Sequence, residues 1–155
     1  MNWQQNIIKD STGIQALLAE TKTIAVLGIK TEAKANQPAF YVPKYLDLVG
    51  FEIVPVPVYY PDVTQILGHK VYRKLIEIPF DIDIVNIFRR PQDIPAHLED
   101  ILRKKPKAVW MQSGIRSDAV AEALAQAGIK VVQDRCLMVE HQRYNQTHAA
   151  VIGDV

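Results

Sequence analysis

A chain of 155 residues, 48% hydrophobic and 23% charged, is long enough to bury one core and too short for two linked enzyme domains. Eighteen Lys and Arg against 17 Asp and Glu leave a formal net charge of +1. That balance lacks the basic excess expected of a nucleic-acid-binding surface, so any anion site must be local. Cys136 is the single cysteine and excludes an internal disulfide. With no apolar run long enough to span a membrane and no leader-like start, the expectation is a soluble cytoplasmic protein with no membrane partner.

Along the chain, short apolar runs alternate with segments of helical period. Ser11–Glu20 reads as a helix before the first strand, and Thr23–Gly28 (TIAVLG) is an apolar run closed by glycine. The run lacks the in-and-out alternation of a half-exposed strand and reads as buried on both faces. Val42–Val49 puts Tyr45, Leu46 and Val49 on one side of a helix, followed by a second strand, Glu52–Val56, and a third, Ile82–Phe88. Ile94–Lys104 is amphipathic through Leu98, Ile101 and Leu102, and Ala108–Met111 reads as the fourth strand. Ser117–Ala127 carries Val120, Leu124 and Ala127, with Ser117 as N-cap and Gly128 just past its end. Lys130–Val132 is the fifth strand and Leu137–Arg143 a last helix, so that residues 1–143 form one domain and 144–155 a surface tail. Trp3, Ile7 and Ile8 read either as a contact surface or as an N-terminal segment folded onto the body.

Apolar strands separated by helices predict a parallel sheet covered on both faces, since parallel connections need a crossover. The fold class is therefore α/β, a doubly wound parallel five-stranded sheet, with the expected strand order 3-2-1-4-5. Ligands of such sheets bind beyond the carboxyl ends of the strands, which restricts the search to a few loops.

The first loop, 28–38, has one glycine and so lacks both the dinucleotide fingerprint and the Walker phosphate loop. It still offers Gly28 for close backbone approach, a hydroxyl on Thr31, charge on Lys30 and Lys34, and the amides of a following helix. A merely solvated loop is the alternative. After the second strand, Pro55, Val56 and Pro57 lead into two tyrosines, a stiff segment suited to a flat ring or to packing on the core. After the third, Arg89 and Arg90 are adjacent on extended chain, so one faces the cleft and the other the surface. Gly114 permits a tight turn or a close ligand, and Asp134 and Arg135 are read as holding one another.

No catalytic set is evident. The four histidines show no metal-ligand spacing, Ser113 is outside a nucleophile elbow, and Cys136 with His141 makes a poor nucleophile pair at a spacing of five. No metal is expected.

The series T-I-A-V-L-G (Thr23–Gly28), V-P-V-P (Val54–Pro57), I-L-G-H-K-V-Y (Ile66–Tyr72), I-V-N-I-F-R-R-P (Ile84–Pro91), V-W-M-Q-S-G-I (Val109–Ile115) and V-V-Q-D-R-C (Val131–Cys136) resembles the stand-alone CoA-binding proteins. These are similar to the amino-terminal domain of the succinyl-CoA synthetase alpha subunit, and the resemblance runs from about Ser11 to His141. It implies a Rossmann-like domain holding coenzyme A or an acyl-CoA across the carboxyl edge of the sheet. Phosphate contacts would fall on Gly28, Ile29, Lys30 and Thr31, with Lys34 as charge partner. Pro55, Val56 and Pro57 would flank the nucleotide, Phe88 with Arg89 or Arg90 would line the cleft, and Gln112 and Gly114 would stand at its far side. Lys30 occupies the place where family members often carry serine, and V-P-V-Y-Y-P replaces their P-V-N-P. The synthetase's phosphohistidine belongs to a domain that this chain does not contain.

The resemblance thus implies binding without catalysis by this chain alone. Three rivals stay open: a subunit of an acyl-CoA or nucleotide-dependent enzyme, a redox protein in which Cys136 exchanges with the CoA thiol, and an NAD(P)-binding domain. The missing glycines and the lack of an acidic residue ending the second strand argue against the last. A homodimer and a partner enzyme subunit are both compatible with the sequence.

Overall fold

A computed structural model describes residues 2–153, with side chains through residue 148. After a 3-10 turn at Trp3–Asn6 come α1 (Ser11–Ala19), β1 (Thr23–Leu27), α2 (Pro38–Leu48) and β2 (Glu52–Val56). A small hairpin of β3 (Gln65–Ile66) and β4 (His69–Lys70) follows. The chain then alternates β5 (Ile84–Ile87), α3 (Leu98–Lys104), β6 (Ala108–Met111), α4 (Asp118–Gln126), β7 (Lys130–Val132) and α5 (Leu137–Gly153).

The five long strands form one all-parallel sheet in the order β2-β1-β5-β6-β7. The doubly wound α/β class holds, but the expected order 3-2-1-4-5 does not: counted along the chain, the order is 2-1-3-4-5. The reason is chemical. The expected order makes the second strand central, yet Pro55 lies inside it and has no N–H to donate to a ladder. Pro55 instead faces outward, where its carbonyl accepts the Tyr72 N–H at 3.0 Å. A strand with proline at that position belongs at the edge.

Successive residues send side chains into two cores. Ala25, Leu27, Val85, Ile87, Val109 and Met111 pack on one face, with Ile101 of α3 and Val120 and Leu124 of α4. Ile24, Val26, Ile84, Trp110 and Val132 pack on the other, with α1, Phe40 and Leu46 of α2, and Leu137 of α5. That two-sided burial explains why the strands read as continuous apolar runs.

Helix boundaries shift where prolines dictate. α2 starts at Pro38, which fills the first helical position, four residues ahead of the expected start. The helix expected over Ile94–Lys104 becomes 3-10 turns at Pro91–Asp93 and Pro95–His97 before α3 begins. Ser117 precedes α4 but makes no side-chain cap; its N–H donates to Gln133 Oε1 at 2.8 Å. Gly128 closes that helix at φ +86°, as its position requires. The last helix runs past Arg143 to Gly153, so residues read as a tail are helical, and 154–155 lie outside the described residues. Ile7 and Ile8 are folded onto the body: Ile8 N–H donates to Val131 O at 2.8 Å.

Candidate ligand cleft at the carboxyl edge of the sheet

β1 and β5 are neighbours, but the helices that follow them, α2 and α3, cover opposite faces. The loops leaving the two strands therefore part, which opens a crevice at the switch point. Gly28 closes β1 directly behind Phe88 and Arg89, which line the crevice. Its φ is +91°, its N–H donates to Val56 O at 2.9 Å, and a Cβ there would stand 2.2 Å from the Phe88 carbonyl oxygen. The close approach expected of Gly28 is thus to the chain's own Phe88, where β1 and β5 end together.

The first loop uses most of its polar groups internally. Ile29 is 1% exposed and belongs to the core. The Lys30 N–H donates to Ala39 O at 3.1 Å, and its Nζ is held by Gln37 Oε1 while the side chain lines the cleft. Thr31 accepts the Lys34 N–H at 2.8 Å through its carbonyl, and both residues stand outside the cleft lining. The helix start offers less than the sequence suggests, because Pro38 has no N–H and those of Phe40 and Tyr41 both donate to Gln37 O. The Ala39 amide is left without a partner among the described residues, and Ala39 lines the cleft.

Pro55, Val56 and Pro57 are buried, with Val56 packed in the core, so the expected wall is a support. The exposed aromatic face comes four residues after Pro55. Tyr59 is 62% exposed, and its ring centroid lies 5.8 Å from the Arg89 guanidinium carbon. The segment with its two tyrosines was legible as a wall for a flat ring, and the structure puts the exposed face on Tyr59 rather than on the prolines. Pro57 and Val58 lead into a side pocket of about 540 Å³ with His97 and Arg103.

The two arginines differ in burial, but both line the cleft rather than only one of them. The Arg89 side chain is 15% exposed, and that of Arg90 is 71% exposed and bonds Asp93 through Nε at 2.8 Å. Arg89 Nε donates to His97 Nε2 at 3.2 Å, which requires a neutral imidazole with its proton on Nδ1. Burial, and then the Arg89 charge, hold the His97 pKa below its ordinary value. His97 carries no sequence motif, and its part in orienting Arg89 is visible only in the fold.

Gln112 has the most constrained side chain in the cleft, at 3% exposure. Its Oε1 accepts from Asn86 Nδ2 at 3.2 Å and from the Leu137 N–H at 3.3 Å. A backbone N–H can only donate, so Leu137 fixes the amide's orientation and turns Nε2, which has no partner, toward the cleft. Asn86 is fully buried and its Oδ1 has no hydrogen-bond partner. Beyond Gln112, Gly114 adopts φ +82° and donates its N–H to Asp134 Oδ1 at 2.7 Å. The expected Asp134–Arg135 pair is therefore absent; Arg135 binds Glu140 instead, at 3.3 Å. Lys30, Ala39, Phe88, Arg89, Gln112 and Gly114 surround a cleft of about 390 Å³.

Three comparisons bear on what such a cleft holds. Residues 22–142 match the family model described as CoA binding domain. The chain belongs to the CoA binding domain family. It is 33% identical over 128 residues to the uncharacterized protein YneT of Bacillus subtilis (strain 168), covering 83% of this chain and 91% of that one. Among solved structures it is similar to cell-free ID.343 from Thermus thermophilus, at 39% identity and a TM-score of 0.80, covering 88% of this chain and 99% of that one. A hypothetical protein from Pyrococcus horikoshii OT3 gives 29% identity and a TM-score of 0.78 over 88% of this chain and 92% of its own.

No hydrogen bond joins Cys136 to His141, whose Nδ1 meets the Tyr45 hydroxyl at 2.8 Å and whose ring packs edge-on against Phe51. Among the described residues no cluster of three His, Cys, Asp or Glu could hold a metal ion, and no helix is long and apolar enough to cross a membrane.

Proposed function

We propose that this protein binds coenzyme A or an acyl-CoA in the switch-point cleft, as a cytoplasmic carrier, sensor or buffer without catalysis of its own. The observation that carries the reading is the Gln112 amide: a side chain only 3% exposed, fixed from behind through Oε1 and with its donor open to a crevice that Lys30, Arg89 and Arg90 also line.

On this reading the pyrophosphate lies over Gly28 and Ile29 between Lys30, Arg89 and the Ala39 amide. Thr31 and Lys34 add polarity and charge at the rim without direct contact, and Arg90 lines the cleft from its exposed side. Pro55, Val56 and Pro57 stiffen the segment that presents Tyr59 to the adenine. Phe88 packs beneath the phosphates, and the pantetheine passes Gln112 and Gly114. The family membership supports the ligand class, and the cleft geometry supports the path. Titration calorimetry at moderate salt with CoA, 3′-dephospho-CoA and NAD tests it. Saturable heat with CoA and much weaker binding of NAD are expected; no heat with CoA, or equal affinity for NAD, overturns the reading.

A second reading is favoured by the place of Cys136, half-buried in a neighbouring cavity that shares Ser113 with the cleft. There the Cys136 thiolate attacks one sulfur of CoA disulfide, the S–S bond breaks, and one CoA departs as the thiol after taking up a proton. Intact mass after incubation with CoA disulfide is expected to rise by one CoA, and an unchanged mass removes this reading.

A further inference from the structure

The neighbouring cavity, about 600 Å³, opens at the carboxyl ends of β6 and β7. Four cations, Lys9, Arg116, Arg135 and Arg143, line it with two carboxylates, Asp134 and Glu140, and Arg116 also pairs through Nε with Asp118 at 3.1 Å. The two carboxylates are already engaged. Asp134 accepts the Gly114 N–H, and Glu140, 7% exposed, is shared between Arg143 Nη1 at 2.7 Å and Arg135 Nη1 at 3.3 Å. Burying a carboxylate is costly unless it is paired, and here the pairing holds two guanidinium groups side by side. Arg135 is further tied to Lys9 O at 2.7 Å. Such a pair is set in place before any ligand arrives, which is the condition under which planar recognition of an anion is strong.

The cavity continues the cleft. Ser113 lines both, Gly114 and Ile115 line the cleft, and Arg116 lines the cavity. A CoA whose adenine lies by Tyr59 and whose phosphates lie by Lys30 has its sulfur directed past Gln112 toward this space. Ile7, Ile8 and Val139 add an apolar side suited to a few methylenes. A long fatty chain would have to lie against four cations.

Resting on the CoA reading above, we propose that this cavity is the acyl subsite and selects a short acyl group ending in a carboxylate, which Arg135 and Arg143 receive with Arg116 and Lys9 at the rim. The closing experiment measures affinity for CoA, valeryl-CoA and glutaryl-CoA, the last two matched at five carbons and differing in the terminal carboxylate, with free glutarate as a control. Glutaryl-CoA is expected to bind about tenfold more tightly than valeryl-CoA, the gain of one charge-assisted contact. Arg143→Ala, on a side chain 64% exposed, is expected to bring glutaryl-CoA down to the level of valeryl-CoA, and Arg116→Ala, also at an exposed position, gives a second test independent of the Glu140 pair. Equal affinities, tighter valeryl-CoA, a preference untouched by both variants, or binding of free glutarate with no gain when it is attached to CoA overturns the acyl subsite while leaving the CoA reading standing. Failure of CoA itself to bind removes both.

Discussion

The two edges of the sheet spend their polar groups differently. At the amino edge Asp83 Oδ2 accepts the N–H groups of Lys22 at 2.8 Å and Thr23 at 3.1 Å, its Oδ1 meets Lys107 Nζ at 3.2 Å, and its own N–H donates to Thr23 Oγ1 at 2.9 Å. Burial pushes the Asp83 carboxyl up, but these donors outweigh it and leave the pKa below the ordinary value. At the carboxyl edge the Ala39 amide and Gln112 Nε2 are left over, and Asn86 Oδ1 is unmet behind them. Polar groups that complete one another hold a fold, whereas groups fixed in place and left incomplete are set for something that arrives later.

That contrast can be broken at either edge. The largest effect is expected from Gly28→Ala, where a Cβ meets the Phe88 carbonyl at 2.2 Å in a left-handed backbone. A loss of about 3–5 kcal/mol in urea unfolding is expected, together with loss of CoA binding, because the added Cβ displaces Phe88 and Arg89, which line the cleft. Asp83→Ala is expected to cost about 2–3 kcal/mol by leaving backbone donors at the amino edge unsatisfied, with CoA affinity in calorimetry unchanged. Gln112→Glu acts on binding instead. The new carboxylate still accepts from Asn86 and Leu137, although a charge at a 3% exposed position also lowers stability; the donor toward the cleft is replaced by negative charge and CoA affinity falls about tenfold or more. A Gln112→Glu protein that binds CoA like the parent would show that the incomplete groups are incidental.

The smallest effect is in pH. Burial lowers the pKa of His97 and of His141, and Arg89 adds to the lowering at His97. The native state therefore prefers both rings neutral, while the unfolded chain takes up protons near pH 6.5. Their contribution to stability is fully present above that value and is lost as pH falls below it through the native pKa values. Urea midpoints between pH 7.5 and 5 are expected to decline, and His97→Gln to flatten part of the slope.

Much of this was legible from residues alone, because both-face burial leaves unbroken apolar runs. All five strands of the parallel sheet were legible, three of them, Glu52–Val56, Ala108–Met111 and Lys130–Val132, to the residue, while the β3–β4 hairpin was not. Strand order was missed although Pro55 marks an edge: the donors that proline removes decide where a strand can sit in a sheet as well as how stiff it is. The cleft's loops were legible from topology, but its working atoms were not. Ile29 and Val56 point into the core, Tyr59 lies past the motif, and the Asn86–Gln112–Leu137 arrangement joins three elements through side-chain amides that leave no pattern in sequence.

The outward side of β2 also bears on assembly. With no hydrogen on the Pro55 nitrogen and its carbonyl already taken by Tyr72, that margin is a poor template for another strand, and the Ile7–Ile8 segment occupies the margin of β7 at the opposite end. The sheet is fenced on both sides. A ladder running from one molecule into the next is disfavoured at both margins.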